Sequence, residues 1–143
     1  MDVNKLIARR VHDYYWQEDL NCATTMLKIL AEIFELKLKS QVLHSAIGMH
    51  GAGGFRAQCG LVEGALMFVG ILGREKGISE SEIVDICYRF ADEFESGFGS
   101  LLCRELRPEG FREDNPPHLC EEMSKDAVQF TVNFMRENVV EDR

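Results

Sequence analysis

The chain has 143 residues, of which 45% are hydrophobic and 28% are charged, and this composition is typical of one globular domain spanning residues 1–143. The 24 acidic and 16 basic residues give a formal net charge of −8, which argues against a nucleic-acid partner because binding phosphates needs a basic face. The longest apolar run, 65–72, is too short to cross a bilayer, and segment 1–20 contains no apolar signal region. We therefore predict a cytoplasmic protein that does not insert into a membrane.

Helical spacing and capping residues predict an all-α fold, a single-domain bundle of about five to six helices with no strand of consequence. A first helix is predicted over residues 2–16. Asn21 is a suitable N-cap for a second helix, which runs to about residue 36. Ser40 is the predicted cap of a short third helix, which glycines then end.

Those glycines form a cluster in segment 48–54. The segment matches neither the phosphate-binding P-loop nor the dinucleotide fingerprint, because no strand precedes it and no Lys-Ser or Lys-Thr pair follows it. We interpret it as a tight loop between helices. The alternative interpretation is a backbone that wraps around a metal site beside Cys59.

A fourth helix is predicted over residues 55–74, and its nearly all-round apolar surface places it at the centre of the fold. Gly60 and Gly64 stand four residues apart in this helix. Interior glycines cost about 1 kcal/mol each relative to alanine, so we expect a neighbouring helix to pack closely against them. The same face suits a second copy of the chain, so a homodimer is the alternative.

Ser79 and Glu82 form a capping box, which predicts that a fifth helix begins at residue 80. Gly97 is predicted to end it. Cys87 lies on the apolar stripe of this helix, and we assign it to the core.

Two helices are predicted in the last third of the chain. Ser100 caps a short helix over 101–106. Pro116 and Pro117 suit the opening of a last helix, where a missing N–H does no harm. The charged tail from residue 137 is expected to fray.

The cysteines carry the functional signal, because four of the five fall where a helix is predicted to begin: Cys22, Cys59, Cys103 and Cys120. The first turn of a helix offers unpaired N–H groups and the positive end of the dipole, and both favour thiolate over thiol. Thiolates ligate metals and attack disulfides. In a reduced cytoplasm, clustered cysteines bind metal or take part in redox chemistry more often than they form structural disulfides.

The usual short cysteine motifs are missing. The chain has no C-x-x-C, which argues against thioredoxin-like exchange and zinc-ribbon knuckles, and no C-x-x-C-H for covalent haem. The H-E-x-x-H motif of common zinc hydrolases is also absent. Any four-cysteine site therefore has to be assembled from four separate helix starts.

The residues carry a family resemblance. Cys22 opens a helix after Asn21, a glycine-rich loop follows, and two further cysteines stand at 103 and 120. Between them lies the sequence Cys59-Gly60-Leu61-Val62-Glu63-Gly64-Ala65. This pattern resembles the C_GCAxxG_C_C family of putative redox-active proteins, with a leucine at 61 where the family motif has alanine.

The resemblance implies a redox role without an established reaction. Related chains, the split-Soret cytochromes, combine a similar cysteine set with an iron–sulfur cluster and haem. This chain lacks the haem-attachment motif, so only the cluster carries over. Four thiolates suit a [2Fe–2S] or [4Fe–4S] centre.

The leading hypothesis is a redox protein in which Cys22, Cys59, Cys103 and Cys120 converge. They either ligate an iron–sulfur cluster for electron transfer with an unknown redox partner protein, or cycle as dithiol and disulfide with no metal. One alternative is a peroxide or disulfide reductase with Cys59 and Cys22 as catalytic residues, assisted by His50 or His118. Another is a structural interaction module in which the same four cysteines bind zinc. Whether the chain is an enzyme stays open.

Overall fold

The computed structural model describes residues 2–107 and 109–141, and this part of the chain is all-helical, as predicted. It contains no strand beyond one isolated bridge pair. The helices are α1 (Val3–Trp16), α2 (Cys22–Ile33), α3 (Ser40–Ser45), α4 (Gly51–Gly54), α5 (Gly60–Glu75), α6 (Glu80–Phe98), α7 (Cys103–Leu106) and α8 (Glu121–Met135), which a π-helical turn (Arg136–Val140) extends. No helix within these described ranges has the length and apolarity needed to span a membrane.

Helices α2 and α5 pack in close contact at the centre of the fold. A Cβ atom added at Gly64 would lie 2.7 Å from the carbonyl oxygen of Ala23 and 3.1 Å from the Cβ of Met26. Only glycine permits this approach. The glycine face of α5 is therefore covered by α2 of the same chain, as the first of the two alternatives predicted. The homodimer stays a prediction, but the glycine face of α5 is no longer evidence for it.

Helix α6 contacts α8 through a cluster of aromatic side chains. The rings of Phe94 and Phe98 are stacked with centroids 4.4 Å apart, and Phe90 meets Phe134 edge-on at 5.2 Å. Phe130 lies among them. Such pairs stabilise a fold beyond the burial of their area, by about 0.5–1.5 kcal/mol each.

Two predicted ends of the central helices are wrong. Helix α5 begins at Gly60 rather than at residue 55, because Cys59 is extended and its N–H donates to the carbonyl oxygen of Leu101. Helix α6 continues past Gly97 and ends at Phe98. Gly99 supplies the left-handed residue at its end, with φ of 94°. The start of α6 is confirmed, since Ser79 accepts from the N–H of Glu82.

The carboxyl-terminal elements also differ from the prediction. Ser100 accepts from the N–H of Leu102, and α7 begins only at Cys103. Helix α8 begins at Glu121 instead of at the prolines, because His118 has a left-handed φ of 58° that interrupts helix formation. The tail does not fray over its described part: Val139 is fully buried in the core, within the π-helical turn.

Candidate functional site

All four cysteines predicted at helix starts are found there. Cys22 and Cys103 are the first residues of α2 and α7, and Cys59 and Cys120 are the N-caps of α5 and α8. The structure brings these four side chains together, since all of them line one cavity of about 810 Å³. Cys87 lies within α6 and does not line this cavity, and its sulfur is 4.0 Å from the carbonyl oxygen of Leu66.

Asn21 fixes the position of Cys22. Its side-chain oxygen accepts from the N–H of Thr24 at 2.8 Å, which confirms the predicted N-cap. Its amide nitrogen donates to the carbonyl oxygens of Ala46 and Ile47 at 2.9 and 2.8 Å. One side chain thus joins the start of α2 to the segment that follows α3.

A short backbone pairing fixes Cys59 and Cys103. Gln58 and Leu102 form an antiparallel bridge. On either side of it, the N–H of Cys59 donates to Leu101 at 2.8 Å, and the N–H of Cys103 donates to Ala57 at 2.7 Å. The sequence gives no sign of this bridge, because no alternating pattern surrounds either segment.

Two glycines allow the backbone to approach the cysteines. A Cβ at Gly60 would lie 2.5 Å from the carbonyl oxygen of Met49 and 3.1 Å from the Cβ of Cys22. A Cβ at Gly51 would lie 3.3 Å from the Cβ of Cys103. The glycine-rich segment is therefore a tight turn, as interpreted, and it contacts the cavity cysteines. The alternative, a backbone that wraps around a metal site, stays a prediction.

This turn is the element α4 (Gly51–Gly54), and its backbone is left-handed. Gly51, Ala52, Gly53 and Gly54 have φ values of 68°, 57°, 67° and 86°. A left-handed conformation costs an L-residue roughly 1–2 kcal/mol, which explains why glycine occupies three of the four positions. Gly54 lines the cavity, so the turn forms part of its wall.

The thiol pKa values contradict the expectation that helix starts favour thiolate here. Burial and the repulsion of a charge at Cys59 raise the pKa of Cys22 to about 12. Burial raises the pKa of Cys59 to about 11, although hydrogen bonds from the N–H groups of Leu61 and Val62 lower it. The helix start thus acts in the predicted direction, but burial outweighs it. The reductase hypothesis requires a low pKa at Cys59, whereas burial raises the pKa of this thiol.

The other two cysteines are affected by a cation. Burial raises the pKa of Cys103 and of Cys120, while the nearby charge of Arg107 acts in the opposite direction on both. Arg107 also lines the cavity, and sequence analysis missed it. Nothing in the local sequence distinguishes it from a surface arginine.

The two histidines proposed as assistants both line the cavity. His50 lies 3.3 Å from the side-chain amide of Asn21. His118 stacks on Tyr15 at 5.3 Å and lies 3.8 Å from a carboxylate oxygen of Asp19. These contacts hold the rings in the wall of the cavity, and in the described residues neither ring is hydrogen-bonded to a cysteine.

The structure also shows the state of the cysteine sulfurs. All five cysteines are free thiols. Within residues 2–107 and 109–141, no group of three or more His, Cys, Asp or Glu side chains is arranged to hold one metal ion.

The fold and the site define a class of protein: a helical protein with four cysteines at helix starts around one cavity. The model of the C_GCAxxG_C_C family, described as a putative redox-active protein, matches residues 20–134, a range that includes all four cavity cysteines. The chain belongs to this family, and the resemblance seen in the sequence is confirmed. No curated protein and no solved structure matches the chain.

Proposed function

We propose that Cys22, Cys59, Cys103 and Cys120 form one redox centre that holds an iron–sulfur cluster. The observation that supports this most strongly is that all four thiols line the same cavity of about 810 Å³, whereas the fifth cysteine does not. Soft thiolate ligands select iron–sulfur clusters, zinc or copper(I). Membership in a redox-active family favours the iron–sulfur cluster over zinc, which has no redox chemistry.

Zinc and an iron–sulfur cluster place different demands on the separation of their four thiolate ligands. A zinc ion binds its four ligands at about 2.0–2.3 Å, so those ligands must converge on one point. A cluster contains several irons and spreads its cysteine ligands over a larger space. A cluster therefore tolerates a wider separation of its four cysteine ligands than zinc does, and the four proposed ligands line one cavity.

The residues of the chain have distinct parts in this proposal. When bound, the cluster supplies a one-electron couple. Cys59 is 4% exposed, so the fold keeps water from this ligand. The N–H groups of Leu61 and Val62 at the start of α5 lower the pKa of Cys59 and so favour negative charge on its sulfur. Arg107 does the same electrostatically for Cys103 and Cys120.

Anaerobic purification tests the proposal. We expect brown protein that contains iron and acid-labile sulfide, with visible absorption that dithionite partly bleaches. Cys59→Ser should lose iron and colour, because one buried ligand is removed. Cys87→Ser makes the same chemical change outside the cavity, so it should keep both.

Other results would point elsewhere. Colourless protein in which oxidant forms a reversible disulfide among the four cysteines would favour dithiol cycling. One zinc ion per chain in metal-free buffers would favour the structural module. Iron-free protein whose four thiols stay reduced under oxidant would contradict both redox hypotheses.

A further inference from the structure

A second set of side chains lines the same cavity, and the cysteines do not account for it. The guanidinium of Arg56 lies 4.1 Å from the ring centroid of Phe111, and that of Arg107 lies 4.5 Å from it. All three residues line the cavity. Two cations are thus held beside one aromatic ring, in a chain whose net charge is −8.

Neither guanidinium is neutralised by the described part of the chain. No ion pair of the described residues involves Arg56 or Arg107. The Nε atom of Arg107 is buried and has no hydrogen-bond partner. A buried donor without an acceptor costs about 1–3 kcal/mol, and more when it is charged. The described residues therefore supply no charged acceptor to either guanidinium, and an external ligand can provide one.

The remainder of the wall indicates what that acceptor belongs to. Among the described residues, Asp19 is the one carboxylate that lines the cavity, beside the cations Arg56 and Arg107 and Lys28, which pairs with Glu18. Apolar side chains form much of the rest, including Leu43, Ile47, Leu106, Leu119 and Met123. A volume of about 810 Å³ lies within the range of small-molecule sites, roughly 300–1,000 Å³.

We propose that this cavity binds a small organic oxyanion, with a carboxylate or phosphate group at Arg56 and Arg107 and an apolar body beside the cysteine site. Arginine suits this role because its planar fork bonds both oxygens of such a group. The proposal concerns binding alone. It holds whether the cysteines carry a cluster or cycle as a disulfide, so its failure and that of the proposed redox centre are separate results.

Isothermal titration calorimetry on the full chain tests the proposal with phenyl phosphate, benzoate and phenol. These probes share one aromatic body and differ in the attached group. We expect one site per chain for phenyl phosphate or benzoate, and at least about tenfold weaker binding of phenol. The tighter of the two anions identifies the group as phosphate or carboxylate.

Variants locate the site. Arg107→Gln should weaken binding of the preferred anion by about tenfold or more, because a charge-assisted pair is lost. Arg112→Gln makes the same change on an exposed side chain that pairs with Asp114 and does not line the cavity, so affinity should change by less than about twofold. Arg107→Lys keeps the charge without the fork and should give an intermediate loss.

A competition measurement on the wild-type chain tests the proposal even if Arg107→Gln does not fold. Inorganic phosphate should compete with phenyl phosphate for the wild-type site, since both need the guanidinium groups. The proposal is overturned if neither anion binds, if phenol binds as tightly as they do, if inorganic phosphate does not compete with bound phenyl phosphate, or if both glutamine variants lose affinity equally.

Discussion

Single residues decide how closely the backbone approaches the cysteines, and glycine shows this most directly. Gly60 follows Cys59 at the start of α5, where a Cβ would lie 2.5 Å from the carbonyl oxygen of Met49. Gly70 lies in the same helix, and a Cβ there would meet nothing within 4 Å. The two positions look alike in the sequence, yet the fold requires glycine at only one of them.

Alanine at each position separates these cases. Gly60→Ala should lower the free energy of unfolding by about 1–3 kcal/mol, because the methyl group collides with the backbone and pushes Cys22 away. Gly70→Ala should raise it by about 0.5–1 kcal/mol, since alanine is the better helix former and has room. Urea unfolding followed by circular dichroism measures both values. A Gly60→Ala variant as stable as the wild type would show that α2 and α5 are not in this close contact.

Glu121 joins α1 to α8 and makes stability depend on pH. Partial burial raises the pKa of its carboxyl, but hydrogen bonds from Trp16, His12 and Lys125 outweigh burial and lower this pKa to about 2. The Trp16 bond is 2.7 Å long. Because the folded-state pKa lies below the ordinary value of 4.5, this stabilisation is present above pH 4.5 and is lost as pH falls towards 2.

Glu121→Gln tests this linkage. The wild type should be more stable than the variant at neutral pH, and acid should shrink that difference by about 1–2 kcal/mol after allowance for solvent screening. Glu122→Gln is the matched control, because its side chain is 84% exposed and pairs only with Lys125. Urea unfolding at several pH values gives the comparison. A difference that stays constant between neutral pH and pH 3 would contradict the assigned contacts.

At the scale of elements, the sequence predicted the helices well and their connections poorly. The caps at Asn21 and Ser79 could be read from local residues, because capping chemistry is local. The other three cysteine helices, α5, α7 and α8, were predicted to begin too early. The pairing of Gln58 with Leu102 could not be read from local residues, since it joins segments more than forty residues apart. The missed start of α5 has this same cause.

The side chain of Asn21 bonds a second segment in addition to capping α2, and this gives a prediction. Ser79→Ala should cost about 1 kcal/mol, the usual loss for a cap. Asn21→Ala should cost more, about 2–3 kcal/mol, because the side chain also donates to Ala46 and Ile47. Thermal and urea unfolding measure the two losses. Similar losses for both variants would mean that the contacts from Asn21 to the segment after α3 contribute little.

For the whole molecule, the sequence predicted that the four cysteines lie near one another, and all four line one cavity, whereas their pKa values could not be predicted. Helix starts are local features, and the family pattern marks the four positions. The pKa values of Cys22 and Cys59 depend on burial and on the charges of other cavity cysteines, which only the assembled fold determines. The contact of Arg56 with Phe111 could not be predicted for a similar reason, because these two residues lie in distant segments of the chain.

Most of the core lies away from the cysteine cavity, and only Tyr15, Cys59 and Leu61 among the described core residues belong to both. Phe68, Phe90 and Leu30 are fully buried, and none of them lines the cavity. Because hydrophobic burial dominates folding, the helices should form without a metal at the cysteines. A zinc-dependent module would behave in the opposite way, since such domains unfold when the metal is removed.

Removal of the metal and of its candidate ligands tests this separation. Wild-type chain treated with a chelator and a reductant should keep its far-ultraviolet circular dichroism and unfold cooperatively. A variant with alanine at all four cavity cysteines should do the same with a lower Tm, because each lost sulfur costs roughly 1 kcal/mol of packing. Cys87→Ala gives the loss for one sulfur outside the cavity. If the chelated wild type loses its helical signal, the metal stabilises the fold, and the redox centre proposed here would be a structural metal site instead.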